Sequence, residues 1–154
     1  MKYRLAEEED LNSLAEMRWL HEFEENNCLN MEKGEFIIEC KAFLINGLEC
    51  GNWVYWVAEE DDEIVANIYI NKIRKVPKPQ KLFTEIGYVT NVHTKEKWRN
   101  KGIGTQLLKE AVAWSKENGI ELLFVWPSER SVSYYEREGF KEKNEIMELI
   151  LEEE

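Results

Sequence analysis

The stretch Trp98–Leu108, WRNKGIGTQLL, changes character halfway along. Its first half is basic and carries Gly102 and Gly104, and its second half begins an apolar pattern. Apolar residues recur at positions 103, 107, 111 and 114, which predicts an amphipathic helix that begins at the glycines. The N–H groups of a helix N-terminus and the helix dipole bind anions, and glycine lets an anion approach the backbone closely. The stretch therefore predicts an anion site at a loop–helix junction.

The distribution of charge supports an anionic ligand in this region. The 154-residue chain has a net charge of −11, yet nine Lys or Arg and only two acids lie between Lys72 and Lys101. This segment carries +7 and the rest of the chain −18, which predicts a locally bound anion and argues against nucleic acid as a partner. The acidic remainder favours a cationic partner. The lysines around Pro77 and Pro79 are also consistent with a solvated hairpin loop.

The glycine pattern alone leaves several phosphate ligands open. The chain has no GxxxxGK[ST] motif, and Leu107 stands where GxGxxG requires its third glycine. A domain that binds a nucleotide or a phosphosugar, and a simple glycine turn before an ordinary helix, both remain compatible with these residues.

Hydrophobic periodicity predicts an α/β domain over residues 1–154 with the order βααβββαβαβ. A strand at 3–6 precedes two helices, the second ending at Asn46–Gly47. Two strands flank an Asp61–Asp62 turn, and a further strand, interrupted by Gly87, ends before the glycine loop. The helix from Ile103 is followed by the apolar segment IELLFVWP, which predicts a central strand, by a short helix at 130–138, and by one or two strands in FKEKNEIMELIL.

Composition predicts a soluble cytoplasmic protein. The hydrophobic content is 44%, and the sequence shows no signal peptide and no apolar run long enough to cross a bilayer. The three cysteines, Cys28, Cys40 and Cys50, are odd in number and lack CxxC spacing, which favours reduced thiols over disulfides or zinc.

The segments NVHTKEKWRNKGIGTQLL and SVSYYEREGF together closely resemble the GNAT superfamily of acyl-CoA-dependent N-acetyltransferases. The resemblance implies a mixed, mostly antiparallel sheet of six to seven strands with about four helices. It also implies acetyl-CoA as cosubstrate, no metal, and transfer of the acetyl group to a primary amine of a small molecule or peptide. Homodimers are common in this superfamily, and nothing in the sequence identifies an interface.

The same resemblance implies a set of cofactor-binding residues. The backbone of Val92–Thr94 would pair with the pantetheine arm, and the R-x-x-G-x-G loop would bind the pyrophosphate. Ser128 stands where the family often has an asparagine that contacts the cofactor. The expected cofactor-binding residues are Val92, His93, Thr94, Arg99, Asn100, Lys101, Gly102, Ile103, Gly104, Thr105 and Ser128.

Acetyl transfer also needs an acid, a base and a pocket for the acceptor. The resemblance implies that Tyr135, four residues before Gly139–Phe140, lies near the thioester sulfur and donates a proton to the departing thiolate. Without the resemblance, a core aromatic would be the favoured interpretation. Glu85, the carboxylate of the fourth strand, is the expected base, with His93 as a second candidate. Trp19, Tyr88 and Trp126 are expected to line the acceptor pocket.

The sequence leaves open one alternative to an enzyme, a binding protein without catalytic activity. The chain could be a non-catalytic acyl-CoA sensor that keeps the loop without the chemistry. The tyrosine at position 135 favours the enzyme.

Overall fold

The computed structural model describes residues 1–26, 30–143 and 145–152. Five strands form one sheet in the order β1-β2-β3-β4-β5, so that strand neighbours in the chain are neighbours in space. The first three pairs are antiparallel, and β4 and β5 are parallel. The elements are β1 (Lys2–Leu5), α1 (Leu11–Glu25), α2 (Lys33–Cys50), β2 (Trp53–Glu60), β3 (Glu63–Arg74), β4 (Glu85–Thr94), α3 (Ile103–Glu117), β5 (Ile120–Phe124) and α4 (Val132–Arg137).

Helices cover both faces of the sheet. Ile103, Leu107 and Leu108 of α3 pack on one face against a cluster that includes Ile68 and Val89. Leu11, Leu14 and Leu44 of α1 and α2 pack on the opposite face, where Tyr55 and Tyr69 belong to the cluster. Removal of these apolar side chains from water holds the layers together.

The turn between β2 and β3 lies at the predicted residues. Asp61 and Asp62 both have positive φ, 48° and 61°, as a two-residue turn between antiparallel strands requires.

The second helix is longer than predicted. It continues through Gly47 to Cys50 and stops at Gly51, whose φ of 70° closes the helix in the left-handed region. Gly47 serves a different purpose from a helix stop. A Cβ at this position would lie 2.3 Å from the Tyr55 hydroxyl and 2.9 Å from Trp53 Cβ, so glycine lets α2 pack closely on β2.

Two predictions about the end of the sheet are wrong. The described residues form five strands rather than six or seven, because 140–143 and 145–152 contain no strand. The segment Ile120–Phe124 is consequently an edge strand, not a central one, and Leu122 is 53% exposed. An apolar run shows that a segment can be buried, but the number of strands beside it is decided by the rest of the chain.

The sheet opens between β4 and β5. Register pairing of the two strands ends at Tyr88 and Phe124, whereas β4 continues to Thr94. Within the described chain, no strand therefore lies on the β5 side of residues 89–94. The opening begins beside a bulge in β4, where Tyr69 pairs with Thr90 and Asn67 with His93, which inserts one extra residue into β4.

The bulge residue Asn91 has a φ of 47° and is held from several sides. Its carbonyl oxygen accepts a hydrogen bond of 2.6 Å from Asn67 Nδ2, and its Oδ1 accepts one of 3.1 Å from Arg18 Nη1. These bonds offset the cost of a left-handed conformation in a residue other than glycine.

Of the helices in the described ranges, none has the length and apolar content needed to cross a membrane.

Candidate active site

The glycine loop leads directly into α3, as the sequence predicts. Asn100 and Gly102 have φ values of 59° and 76°, and Gly102 immediately precedes the first residue of the helix. These left-handed conformations turn the chain sharply so that the N–H groups of the first turn of α3 point out of the loop. The junction has the geometry of a helix N-terminal anion site.

A cleft of about 570 Å³ lies at this junction. Seven of the predicted cofactor-binding residues line it, which are Thr94, Arg99, Asn100, Gly102, Ile103, Gly104 and Thr105. A Cβ at Gly104 would lie 3.4 Å from Thr94 Oγ1 and 3.8 Å from the Tyr134 hydroxyl, which are ordinary van der Waals distances, so a side chain longer than alanine would extend into the cleft.

Three other lining residues are absent from the sequence-based set, namely Trp98, Tyr134 and Arg137. Tyr134 donates a hydrogen bond of 2.8 Å to the Gly104 carbonyl oxygen, which joins α4 to the first turn of α3. Tyr134 and Arg137 are three residues apart on α4 and so lie on the same side of that helix. The family resemblance predicts that Tyr135 of this helix lies near the cofactor, but it does not indicate that Tyr134 and Arg137 line the cleft.

Arg99 makes its contacts at the edge of the cleft. Its Nε donates to the Thr94 carbonyl oxygen at 2.8 Å, and its Nη2 donates to Glu24 Oε2 at 2.6 Å. Glu24 lies in the last turn of α1, so Arg99 connects the loop to a helix far away in the sequence.

Ser128 lies at the start of the turn before α4, and its hydroxyl is engaged there. It donates to Ser131 Oγ at 3.0 Å, and its carbonyl oxygen accepts a bond from Ser131 Oγ at 2.9 Å. It is not among the residues that line the cleft. Its role as a cofactor contact stays a prediction.

The two candidate bases lie at different places on β4. Glu85 is the first residue of the strand and pairs in register with Arg74 and Ile120. It is nine residues before Thr94, which at about 3.3 Å per residue corresponds to about 30 Å along an extended strand. The structure therefore does not bring Glu85 to the cleft.

His93 follows the bulge directly, and its side chain is 4% exposed. Its Nε2 lies 3.2 Å from Glu24 Oε2, and its ring stacks on that of His21 with 4.6 Å between centroids. Burial lowers the pKa of His93, an effect opposed by the hydrogen bond with Glu24. Burial also disfavours the charged form of Glu24, but hydrogen bonds from Arg99 and His93 outweigh it and lower the pKa of this carboxyl.

Tyr135 is 6% exposed, and its ring packs against those of Tyr134 and Phe140 at centroid distances of 4.9 and 5.4 Å. Burial, and after it the proximity of Tyr88, raises the pKa of Tyr135 to about 12. Tyr135 thus stays protonated at neutral pH and lies close to the residue at which β4 and β5 separate.

Two of the three predicted pocket aromatics lie together. Tyr88 and Trp126 have ring centroids 4.9 Å apart, and Phe124 completes the cluster. Trp126 is 57% exposed. Trp19 lies elsewhere, since it packs against Phe36 and lines a separate groove along α1.

Cysteines and acidic residues provide no metal centre in the described ranges. No group of three His, Cys, Asp or Glu side chains there is arranged to hold a metal ion. Cys40 and Cys50 are free thiols, and Cys28 lies outside the described residues.

A sheet that opens beside a bulge, with a glycine loop and helix N-terminus at the opening, defines an α/β protein built to hold an extended ligand with an anionic end. The model of the acetyltransferase (GNAT) domain matches residues 51–142, which is more than half of the chain. The chain belongs to this family, and the resemblance predicted from the sequence is confirmed.

Solved structures agree with this assignment. A predicted acetyltransferase from Clostridium acetobutylicum, solved with acetyl-CoA, is 29% identical, with a TM-score of 0.80 and coverage of 97% of this chain and 96% of that chain. A GCN5-related N-acetyltransferase from Ralstonia eutropha JMP134 is 25% identical, with a TM-score of 0.75 and coverage of 97% of each chain. A comparison with curated protein sequences found no significant match.

An aminoglycoside acetyltransferase from an uncultured soil metagenomic sample, solved with sisomicin, shares the fold. It is 17% identical, with a TM-score of 0.73 and coverage of 99% of this chain and 96% of that chain.

Proposed function

We propose that this protein transfers the acetyl group of acetyl-CoA directly to a primary amine of a small molecule or peptide. Membership of the GNAT family supports acetyl transfer, and the acetyl-CoA in the Clostridium acetobutylicum structure supports the cosubstrate. The observation that carries the proposal is that Thr94, the last residue of the part of β4 that β5 leaves uncovered, also lines the cleft at Gly102–Gly104.

The two ends of the opening suit the two parts of coenzyme A. The helix N-terminus and glycine loop would bind the pyrophosphate. The uncovered side of β4 would pair with the amide groups of the pantetheine arm, as an added strand would. The thioester would then lie near the bulge, where a backbone N–H of Val92–Thr94 would polarise its carbonyl.

The reaction then needs three proton transfers. The ammonium form of the acceptor loses a proton to a base, and the neutral amine nitrogen attacks the thioester carbon. A C–N bond forms, the C–S bond breaks, and the departing thiolate takes a proton from Tyr135. A phenol with a pKa of about 12 keeps that proton until the thiolate develops. The nitrogen loses its second proton as the amide forms, and this second proton reaches the Tyr135 phenolate through solvent.

We propose two candidates for the base, Glu85 and His93. Glu85 is the strand carboxylate that the sequence favours, whereas the position of His93 next to the bulge and its contact with Glu24 favour the histidine. If Nε2 of His93 donates to Glu24, Nδ1 carries no proton and could accept one. Nδ1 is buried and has no hydrogen-bond partner among the described residues, so the acceptor's proton would have to reach it from inside the opening.

The acceptor is proposed to be cationic. The net charge of −11 favours the approach of a positively charged amine, and the aromatic cluster of Tyr88, Phe124 and Trp126 would contribute to its pocket. The aminoglycoside acetyltransferase from the soil sample, solved with sisomicin, has the same fold. A cytoplasmic location and a homodimer remain predictions.

Release of free coenzyme A tests the function. The protein is incubated with acetyl-CoA and a panel of polyamines, amino sugars, amino acids and peptides, and the thiol is measured with and without each amine. We expect release that depends on the amine and a product heavier by one acetyl group. Tight binding of coenzyme A without release would support the sensor, and preferential binding of ATP or NAD in calorimetry would contradict the acetyltransferase.

A further inference from the structure

We propose that Arg137 of α4, rather than Arg99 of the glycine loop, supplies the cationic side chain that binds the pyrophosphate of coenzyme A. The inference rests on the proposed function, because it concerns the same cleft. It assigns a role to a residue outside the glycine loop, in the second of the two segments that resemble the family.

The basic residues of the loop are largely paired with carboxylates from elsewhere in the fold. Lys95 and Lys97 both contact Glu63 at the start of β3, with Nζ–O distances of 2.8 and 3.0 Å. Lys101 lies over the ring of Trp98, with Nζ 4.8 Å from the centroid, and is not among the residues that line the cleft. The positive charge that the loop carries in the sequence is therefore mostly compensated in the folded chain.

Arg99 is compensated as well. Glu24 accepts its Nη2 hydrogen bond at 2.6 Å, and the lowered pKa of Glu24 keeps that carboxylate charged at neutral pH. The Nε of Arg99 is occupied by the Thr94 carbonyl oxygen at 2.8 Å. These contacts make Arg99 a brace between the end of β4 and α1, since both partners belong to the frame of the site.

Arg137 has a different environment. It lines the cleft together with Gly102 and Gly104, and no carboxylate in the part of the chain that the structure describes forms a salt bridge with it. Its helix is held beside the cleft because Tyr134, on the same side of α4, donates a hydrogen bond of 2.8 Å to the Gly104 carbonyl oxygen. A guanidinium group can bind two phosphate oxygens at once, which suits a pyrophosphate at the start of α3.

Calorimetry with coenzyme A and with dephospho-coenzyme A tests the assignment. Both ligands carry the pyrophosphate, and only the first carries the ribose 3′-phosphate. We expect Arg137→Gln to raise the dissociation constants of both ligands about tenfold, and Arg137→Lys to recover part of the lost affinity. The matched control is Arg130→Gln, because Arg130 is exposed, pairs with Glu25 and is not a lining residue. It should bind both ligands as the unchanged protein does.

The variant Arg99→Gln distinguishes the role of Arg99 from that of Arg137. We expect it to weaken binding less than Arg137→Gln does and to lower the melting temperature, since it removes the brace to Glu24. An unchanged affinity in Arg137→Gln, a loss confined to coenzyme A, or a larger loss in Arg99→Gln would overturn the assignment. If the unchanged protein binds neither ligand, the proposed function fails instead, so the two failures are distinguishable.

Discussion

The hydroxyl of Tyr134 donates a hydrogen bond of 2.8 Å to the carbonyl oxygen of Gly104. This bond joins the helix that carries Tyr135 to the helix whose first turn forms the anion cleft. Tyr135 of α4 is the proposed acid, and its neighbour Tyr134 contacts the loop of the proposed phosphate site. A change at Gly104 should therefore alter cofactor binding, and a change at Tyr135 should alter the rate of acetyl transfer.

The cleft beside Gly104 should close when the residue gains a large side chain. In Gly104→Leu the Cβ would begin 3.4 Å from Thr94 Oγ1, and the remaining atoms would fill the space proposed for the pyrophosphate. We expect the KM for acetyl-CoA to rise at least about tenfold, which steady-state kinetics at a saturating amine concentration would measure. Gly34→Leu is the control, because a Cβ at position 34 meets nothing within 4 Å. Unchanged cofactor affinity in Gly104→Leu would refute the loop assignment.

Tyr135→Phe should separate chemistry from binding. The change removes the proposed proton donor and keeps the aromatic ring that packs on Phe140. We expect kcat to fall about a hundredfold, with little change in the dissociation constant of coenzyme A. Turnover equal to that of the unchanged protein would show that Tyr135 is a core aromatic and not the acid.

The pH dependence of the rate should identify the base. If His93 accepts the proton of the acceptor, His93→Gln should lower kcat/KM by at least about a hundredfold and remove the acidic limb of the pH–rate profile. Glu85→Gln should retain that limb, because Glu85 is at the opposite end of β4. The reverse pattern would assign the base to Glu85.

Acid should destabilise the protein partly through His93. Burial, opposed by Glu24, lowers its pKa in the folded state, so below about pH 6.5 the unfolded chain binds a proton that native His93 does not. The free energy of unfolding should therefore decrease as the pH falls below 6.5. His93→Phe should weaken this dependence between pH 7 and 5, as measured by urea unfolding at each pH. An identical dependence in both proteins would contradict the prediction.

Close packing of β4 against its neighbours should make Gly87 intolerant of a side chain. A Cβ there would lie 2.6 Å from Leu123 Cδ2 and 2.9 Å from Ile70 Cγ2, so Gly87→Ala should reduce the free energy of unfolding by about 1–3 kcal/mol. Gly34→Ala, in an open part of α2, should change it by less than about 1 kcal/mol. Chemical denaturation of both variants would measure the difference, and equal stabilities would argue against tight packing at Gly87.

Local patterns in the sequence predicted the elements well. The Asp61–Asp62 turn, the helix that begins at Ile103 and the loop from Arg99 to Gly104 all follow from glycine, turn residues and apolar spacing, which act within a few residues. The family also followed from short motifs. The predicted strands at the end of the chain and the central position of the fifth strand did not hold, because strand pairing depends on distant segments.

The sequence by itself determined the loop, the helix behind it and the family to which they belong, because each depends on contiguous residues. Only the tertiary structure decided which charges face the cleft. In the sequence, Lys95, Lys97 and Arg99 form a basic run, but the fold pairs them with Glu63 and Glu24. It places Arg137 at the same cleft with no salt-bridge partner among the described residues. Ion pairs require proximity in space, and here that proximity is produced by the packing of α1, β3 and α4 around one loop.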